Sequence, residues 1–445
     1  AELNSIPSYR NIWNISYPII LSLLAQNIIT VIDTAFLGRV GEVELGASAI
    51  GGLFYFSFFM LGFGFGNGAQ ILMARRNGEK NFPMVGKIFD HTLYIFAIMS
   101  ALLILFTFLI SNQLLKWFIS SEAIYHASVT YFNIRVLGMF FSFANVAFRA
   151  YLVGITKTKL LSYGAAIMAV VNVALDYLLI FGHYGFPEMG IAGAAIASLI
   201  SEATAIAFYT IAILVKHENR KYELFKFPRF NKEIVATTWS ISIYIMIQNF
   251  ISMVSWFLFF LFIEHLGERS LAISNIIRSI YMTLMIHVWA FSSSVNSLVS
   301  NSIGSGLHDM VLPIIRKVNR LSILITLLVI FITVTIPGLL IRIYTDDITL
   351  INEAIPVLFV VVGAVLPVAL ANNWFSGVSG TAKTNVALVI EIFCIIFYLT
   401  YVWLVIFKFD VSLPVVWISE YVYIFLLGAI SYLYLKFGKW QTKII

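Results

Sequence analysis

The sequence predicts an all-α integral membrane protein: twelve transmembrane helices in two six-helix lobes, related by a parallel pseudo-two-fold repeat. Composition points there first. Of 445 residues, 60% are hydrophobic, 16% aromatic and only 11% charged. A soluble chain carries roughly 25% charged residues, because water-facing surface needs them; a hydrocarbon-facing surface does not. The apolar residues also come in runs long enough to cross a bilayer, and the second half of the chain echoes the first at a nearly constant offset.

A helical span needs about 20 mainly apolar residues to cross roughly 30 Å of hydrocarbon. Runs of that kind fall at 12–37, 45–74, 89–110, 128–154, 160–181, 190–215, 234–265, 271–301, 318–340, 350–377, 384–407 and 412–436, numbered spans 1 to 12. They are too long for barrel strands, and lipid offers free N–H and C=O groups no partner, so the spans are helices. The opening stretch, Ala1 to Tyr9, lacks the charged-then-apolar pattern of a cleavable signal, so span 1 is expected to be a retained one. The single cysteine, Cys394, cannot form an internal disulfide.

The longest polar connection is Lys216–Lys232, KHENRKYELFKFPRFNK, with six Lys or Arg. It divides the chain into a first lobe (1–215), a basic linker (216–232) and a second lobe (233–445). Of the 28 Lys and Arg, 20 lie in the N-terminus, the C-terminus and the connections after even-numbered spans, against 5 in the connections after odd-numbered spans. Arg320 and Lys436, at the very ends of spans 9 and 12, are counted with the flanking connections, and Arg135, Arg149 and Arg278 are the three deep inside spans. Positive charge gathers on the cytoplasmic side, so both termini and the linker are expected in the cytoplasm of a multi-pass cell (inner) membrane protein.

The halves match weakly but in step. Leu45, Ser48 and Ile50 recur as Leu271, Ser274 and Ile276, Phe63 and Gly78 as Phe291 and Gly306, and Leu37-Gly38 as Leu266-Gly267. The turn Gly154-Ile-Thr-Lys157-Thr158 recurs as Gly380-Thr-Ala-Lys383-Thr384. Six spans per half start both halves on the same side, which makes the repeat parallel, an established transporter plan.

Ionisable groups inside a membrane are costly and need a reason. Asp33 ends a polar stripe on span 1, Ser22, Gln26, Thr30 and Asp33, along one helical face. Asn172 and Asp176 are four apart and share a face of span 5. With spans 1 and 5 running the same way, Asp33 and Asp176 lie at similar depth, where two carboxylates bind a cation jointly or share a proton. The bland reading is a helix-end cap, or for Asp33 a pair with Arg39. Ser198 and Glu202 form a further pair on span 6, Glu202 being either a relay or substrate group or a buried acid donating one hydrogen bond. In the second half, span 7 repeats the stripe as Gln248, Ser252 and Ser255 without an acid. Glu264 is expected in solvent, and Glu391 and Glu420 have no partner by spacing. Arg278 and His287 on span 8 either line a cavity or fill interhelical roles.

No Walker-type loop, HExxH or GxSxG occurs, so direct ATP drive and the common hydrolase chemistries have no sequence support. The reading is of a non-enzyme without cofactor, whose partners are the lipid bilayer and a small-molecule substrate rather than nucleic acid or an obligatory protein. The run Gly62-Phe-Gly64-Phe-Gly66-Asn-Gly68 lies mid-span and reads as close helix packing rather than a phosphate cradle.

Over nearly its whole length the chain resembles the multidrug and toxic compound extrusion (MATE) family. The residues that carry the likeness are Pro18, Gln26, Asp33, Leu37-Gly38 and Gly41; Gly66-Asn-Gly68-Ala-Gln with Ala74-Arg75-Arg76-Asn-Gly78; Asn172-Val-Ala-Leu-Asp176 through Gly182; and Gly190-Ile-Ala-Gly193 through Ser198. The resemblance implies an antiporter exporting amphipathic, often cationic drugs or metabolites in exchange for H⁺ or Na⁺. It places the coupling ion at Asp33 and Asp176, with Asn172 beside them and Ser198 as the span-6 hydroxyl. A Na⁺ ion would sit at Asp33, Asp176 and Asn172; H⁺ is preferred, since no second-half acid enlarges a metal site. Gln26, Thr30, Glu202 and Arg278 are the expected substrate or cavity residues. The NorM-like branch carries acids in spans 7 and 10, where this chain has Ser252 and Ala369, so the likeness is more to the DinF-like branch. The alternative is a flippase of the same superfamily for a lipid-linked substrate, which calls for a strongly cationic cavity. A passive channel or a receptor needs a different distribution of polar residues.

Overall fold

The computed structural model describes residues 6–119, 121–409 and 411–441, so residues 1–5 of the polar opening stretch and Lys443 lie outside the described residues. The described residues form helices and contain no strand. Ten helices are long and apolar enough to cross a membrane: Tyr9–Val40, Glu42–Gly78, Phe82–Ile110, Lys159–Phe181, Gly190–Val215, Lys232–Glu264, His308–Thr335, Ile348–Gly380, Thr384–Phe407 and Leu413–Phe437. Two more crossings are bent pairs, Glu122–Leu137 with Met139–Gly154 at 47° and Glu268–Leu284 with Ile286–Gly304 at 44°. Counting each pair as one crossing gives the twelve expected spans in the expected order.

Most helices outrun the apolar runs that announced them. Span 2 begins at Glu42 and ends past Arg75 and Arg76, placing acids at the positive end of the helix dipole and bases at the negative end. Span 9 is a correction in the other direction. It ends at Thr335 rather than at 340, because Pro337 starts a separate short helix, Pro337–Arg342, and proline has no N–H to continue the preceding ladder.

The repeat is visible in the backbone at a single offset of 226. The turns after spans 2 and 8 place Lys80 (φ 59°) and Gly306 (φ 76°) in the left-handed region. Those after spans 4 and 10 do the same with Thr156 (φ 59°) and Ala382 (φ 64°). Spans 2 and 8 are preceded by Gly41 and Gly267, so the structural match is Gly41 to Gly267 rather than Gly38 to Gly267.

The chain divides into two compact units, Tyr17–Met246 and Ala1–Ser16 with Ile247–Ile445. These units part within spans 1 and 7, whereas the expected lobes part at the linker, 216–232. The cause lies in the first unit, where the basic linker and the first half of span 7 are both tied down. Both carboxylate oxygens of Asp90 accept linker N–H groups, from Phe225 at 3.0 Å and Phe227 at 2.9 Å, and Nε2 of His91 accepts that of Asn231 at 2.9 Å. A Cβ on Gly86 would stand 1.9 Å from the Tyr222 carbonyl oxygen, so only glycine lets the linker lie this close to span 3.

The glycine run of span 2 packs the same unit. A Cβ on Gly62 or Gly66 would strike Phe143 or Val146 of span 4, and one on Gly64 or Gly68 would strike Met246 or Ser242 of span 7. Two pairs at i, i+4, offset by two residues, point to opposite sides of a helix. One run thus seats a helix on each side, as the small-residue packing of membrane helices allows.

Candidate functional site

Span 5 starts after the Thr156 turn and stops at Gly182, whose φ of 69° is the left-handed C-cap that glycine supplies. Gly193 of span 6 lies against the backbone of Leu179 and Ile180, fixing spans 5 and 6 together. Between these fixed points Asn172 and Asp176, both fully buried, meet Asp33 of span 1. The two carboxyl groups lie within interaction range of each other, and a hydrogen bond between two carboxyl groups requires a shared proton. The Asn172 amide, oriented so that both its polar atoms are satisfied, donates to Oδ1 of Asp33 at 3.0 Å and to Oδ2 of Asp176 at 3.2 Å. Oδ1 of Asp176 is buried without a hydrogen-bond partner.

One turn beyond each aspartate the helices enter a closed apolar cluster. Leu37 and Ile180 pack there with Ala47, Ile191 and Ala194. The cluster seals the carboxyl pair on that side against water, the condition under which a proton or ion between two acids is held rather than exchanged with solvent.

A second group lies near enough to act electrostatically on Asp33. Arg135 donates through both terminal nitrogens to Oε1 of Glu202 at 3.1 Å, and Ser142 donates to Oε2 at 2.6 Å. Arg135 also lies 4.0 Å above the Tyr55 ring, and Tyr55 hydrogen-bonds Ser142. Arg135 and Ser142 sit on either side of the bend at Gly138 in span 4, so the bend turns both onto one carboxylate. Of the two readings of Glu202 from the sequence, the structure does not show a lone buried acid donating one hydrogen bond: Glu202 accepts from Arg135 and Ser142 in a part-buried ion pair. Tyr131, hydrogen-bonded to Arg135, is electrostatically linked to Asp33 as well. Of these three, Tyr131 and Ser142 were within reach of the sequence, since span 4 carries Ser128, Tyr131, Arg135, Ser142, Asn145 and Arg149 at helical spacing; Tyr55 stands in an apolar run of span 2 and no such signal marks it.

The remaining expected residues are more loosely placed. Ser198 is buried one turn before Glu202, and among the described residues it makes no hydrogen bond to either aspartate. Gln26 and Thr30 are exposed, and Thr30 donates only to the Gln26 carbonyl of its own helix, at 3.1 Å. Arg278 is exposed, 5.2 Å from the Phe260 ring. His287 is buried and shares a 2.9 Å hydrogen bond with Thr326, the interhelical role. Glu264 is exposed, as expected of a solvated group.

Known proteins agree with this architecture. The MatE family model matches residues 18–178 and again 245–404, well over half of the chain and once per half. The probable multidrug resistance protein YoeA of Bacillus subtilis is 23% identical over 71% of this chain and 69% of its own. The probable multidrug resistance protein NorM of Thermotoga maritima is 23% identical over 96% of this chain and 92% of its own. Among solved structures, an outward-facing multidrug resistance MATE family transporter of the MOP superfamily matches with a TM-score of 0.88 at 16% identity, covering 96% of this chain and 94% of that one. The Vibrio cholerae MATE transporter VcmN in its bent form gives 0.85 at 17%, covering 96% of each. At those identities the structural likenesses speak for the fold, and the family model speaks for descent. With its matched halves, its twelve crossings and its relatives named for multidrug resistance, the chain belongs to the MatE family of multidrug efflux transporters, which are not enzymes.

Proposed function

We propose that the protein is a secondary active antiporter of the cell membrane, with both termini cytoplasmic. It exports amphipathic, cationic drugs or metabolites in exchange for H⁺, or for Na⁺ as the second reading of the same site. The observation that carries this is the Asp33–Asp176 contact, closed on one side by Leu37 and Ile180 and bridged by Asn172. Removing the shared proton leaves two anions in contact. At about 4 Å and an effective dielectric of about 20, two such charges repel by roughly 4 kcal/mol, about a thousandfold preference for taking up a cation again. The carboxylate oxygens of Asp33 and Asp176 are also the hard ligands that Na⁺ takes.

Loading removes charge from the first lobe. Release restores it, and with it the pull on a cationic substrate at the exposed face that carries Gln26 and Thr30 on the same helix as Asp33. Pro18 withholds one backbone donor from span 1, which favours a bend there and a shift of that face as the lobe changes charge. The Arg135–Glu202 pair neutralises the intramembrane cation best placed to hold a phosphate, which weighs against a lipid-linked substrate. The absence of acids at Ser252 and Ala369 fits the DinF-like branch.

The test is exchange in liposomes of purified protein. A fluorescent organic cation is loaded on one side, with a pH gradient or a Na⁺ gradient imposed separately. One gradient should drive the movement and name the ion. Asp33→Asn and Asp176→Asn should each abolish exchange while the protein still purifies as a folded monodisperse species. Exchange that survives Asp33→Asn, or that neither gradient drives, refutes the scheme.

A further inference from the structure

The exchange mechanism makes no use of the basic linker, although span 3 holds the linker's second half in one fixed course. Asp90 and His91 accept the N–H groups of Phe225, Phe227 and Asn231, and the Tyr94 hydroxyl donates to the Pro228 carbonyl at 3.0 Å. Phe225 and Phe227 stand at φ of 61° and 43°, a left-handed backbone that residues other than glycine adopt at a cost. The Asp90 bonds offset that cost, so the course of residues 224–232 is imposed by span 3.

Where this strap lies follows from the helix that holds it. Lys87, His91, Tyr94, Ile98, Leu102 and Leu105 succeed one another at intervals of three and four, a single face of span 3. Ile98, Leu102 and Leu105 are exposed and apolar; in a chain of twelve crossings such a face meets hydrocarbon. The strap covers the first turns of the same face, where the apolar run of span 3 begins. It therefore runs along the side of the lobe at the edge of the lipid, and not beneath the lobe in bulk water. Its own rings complete the face. Phe227 packs 5.9 Å from the Tyr94 ring and Phe230 6.0 Å from the His91 ring, yet they remain 51% and 52% exposed. A water-facing loop gains nothing by holding two phenylalanines half bare, whereas such rings are stabilised at the boundary of headgroups and acyl chains.

Charge selects the partner. Lys226, Arg229 and Lys232 alternate with those rings and are exposed, and Lys87 stands exposed on the covered face. The neighbouring acids are Glu233 and Glu223, which pairs with Lys226 at 3.0 Å; an exposed pair of that kind holds its lysine weakly. Four bases against two acids, set between rings at lipid depth, complement the phosphate of an anionic headgroup. A soluble protein partner would not explain the depth, and a neutral lipid would not explain the bases.

We infer that residues 224–232 are an interfacial anchor that docks on the anionic lipid headgroups of the adjoining leaflet. Phe227 and Phe230 enter the rim of the acyl chains, and Lys226, Arg229 and Lys232 bind headgroup phosphates. The inference stands on the twelve crossings and is independent of the coupling ion and the exported substrate.

Full-length protein with Cys394→Ala and Phe230→Cys is labelled with bimane, itself an apolar ring system, and placed in bilayer discs of mixed phosphatidylcholine and phosphatidylglycerol. Both leaflets of a disc share one composition, so the orientation of the chain does not enter. A nitroxide sits just below the headgroup, on the anionic lipid in one preparation and on an equal amount of the neutral lipid in the other. Both lipids should quench the label, with a relative affinity favouring the anionic one by about fivefold or more, the worth of one base at an anionic surface. Lys226→Gln combined with Arg229→Gln and Lys232→Gln changes only exposed side chains and should remove that preference while quenching by the neutral lipid persists. High salt should lower the preference in the parent without any substitution, which keeps the test decisive if the triple variant fails to fold. Quenching by neither lipid puts the strap in water or against a soluble partner and overturns the inference. Equal quenching by both lipids overturns the anionic docking. So does a preference unmoved by salt or, in a folded triple variant, by the substitutions.

Discussion

Replacing Arg135 by methionine is the sharpest test of the first lobe's internal electrostatics. The substitution keeps most of the side-chain volume and removes the guanidinium that donates twice to Glu202. Glu202, 15% exposed in that pair, keeps Ser142 as its side-chain donor. Removing one partner of a buried ion pair costs about 3–5 kcal/mol, because the remaining charge stays buried and uncompensated. The unit that holds the pair runs from Tyr17 to Met246; for a domain of that size each kcal/mol shifts the melting temperature by roughly 2–4 °C, which puts the expected loss at roughly 6–20 °C. The pair itself is worth far less than that, since buried pairs repay little beyond their own desolvation. Arg135→Met combined with Glu202→Gln should therefore recover most of the loss. The assay is thermal unfolding of the four purified proteins of the cycle in one detergent, followed by intrinsic fluorescence. A single variant melting within about 2 °C of the parent, well short of the expected penalty, refutes the reasoning. So does a double variant no more stable than the single one.

Three further outcomes follow from other parts of the chain. Gly86→Val should push the Tyr222 carbonyl away and break the Asp90 and His91 contacts with the linker, speeding tryptic cleavage near Lys226 by roughly tenfold or more; an unchanged cleavage rate contradicts the packing. For topology, an impermeant thiol reagent applied to intact cells should label a cysteine at Glu188 and miss one at Lys226, with native Cys394 buried and silent. Lys226 is the better probe than Glu218, whose side chain is 14% exposed in its pair with Lys157, and outside labelling at Lys226 reverses the orientation. Asp347 caps span 10, and the Thr349 hydroxyl, then the Leu350 N–H, hold its carboxylate below the usual aspartate range. A depressed value means the cap is fully present above about pH 4 and drains as pH falls through the lower folded value, so exchange of the Thr349 and Leu350 amides should quicken only in that acid window. An Asp347→Asn protein should show no such pH step; an equal step in both proteins assigns the effect elsewhere.

What the sequence disclosed and what it hid divide along a physical line. Hydropathy reports where lipid touches the chain, so the number and order of crossings were legible. Helix ends were not, because Glu42, Arg75 and Arg76 extend their helix past the apolar run that hydropathy reports. The break at Ile336-Pro337-Gly338 was legible through its proline and glycine, yet the apolar run masks it. The bends at Gly138 and Met285 carry no proline and were not legible. The repeat was legible as weak matches at 226 to 229, and only the backbone turns at Lys80, Gly306, Thr156 and Ala382 reduce it to one offset.

The same line runs through the site. Asp33, Asn172 and Asp176 were found because the cost of a buried charge singles out carboxylates, and because a turn of helix relates Asn172 to Asp176. Helical spacing relates residues within one span and says nothing about which spans touch. That is why Glu202 was found without Arg135, and Glu391 without Tyr423 or Ser252. Each lobe resolves its buried acids by a different device: a carboxyl contact and an arginine pair in the first, tyrosine and serine hydroxyls in the second. Hydroxyls leave no trace in a charge inventory, so an acid they serve looks unpartnered in sequence. Carboxylates inside a membrane are thus best sought one at a time, and their partners by asking which neighbouring helix offers a donor at the same depth. On that reasoning the second lobe's acids belong with hydroxyls of neighbouring spans, Ser252 and Tyr423 at Glu391 and Tyr281 at Glu420, which the polar stripe of span 7 alone does not show.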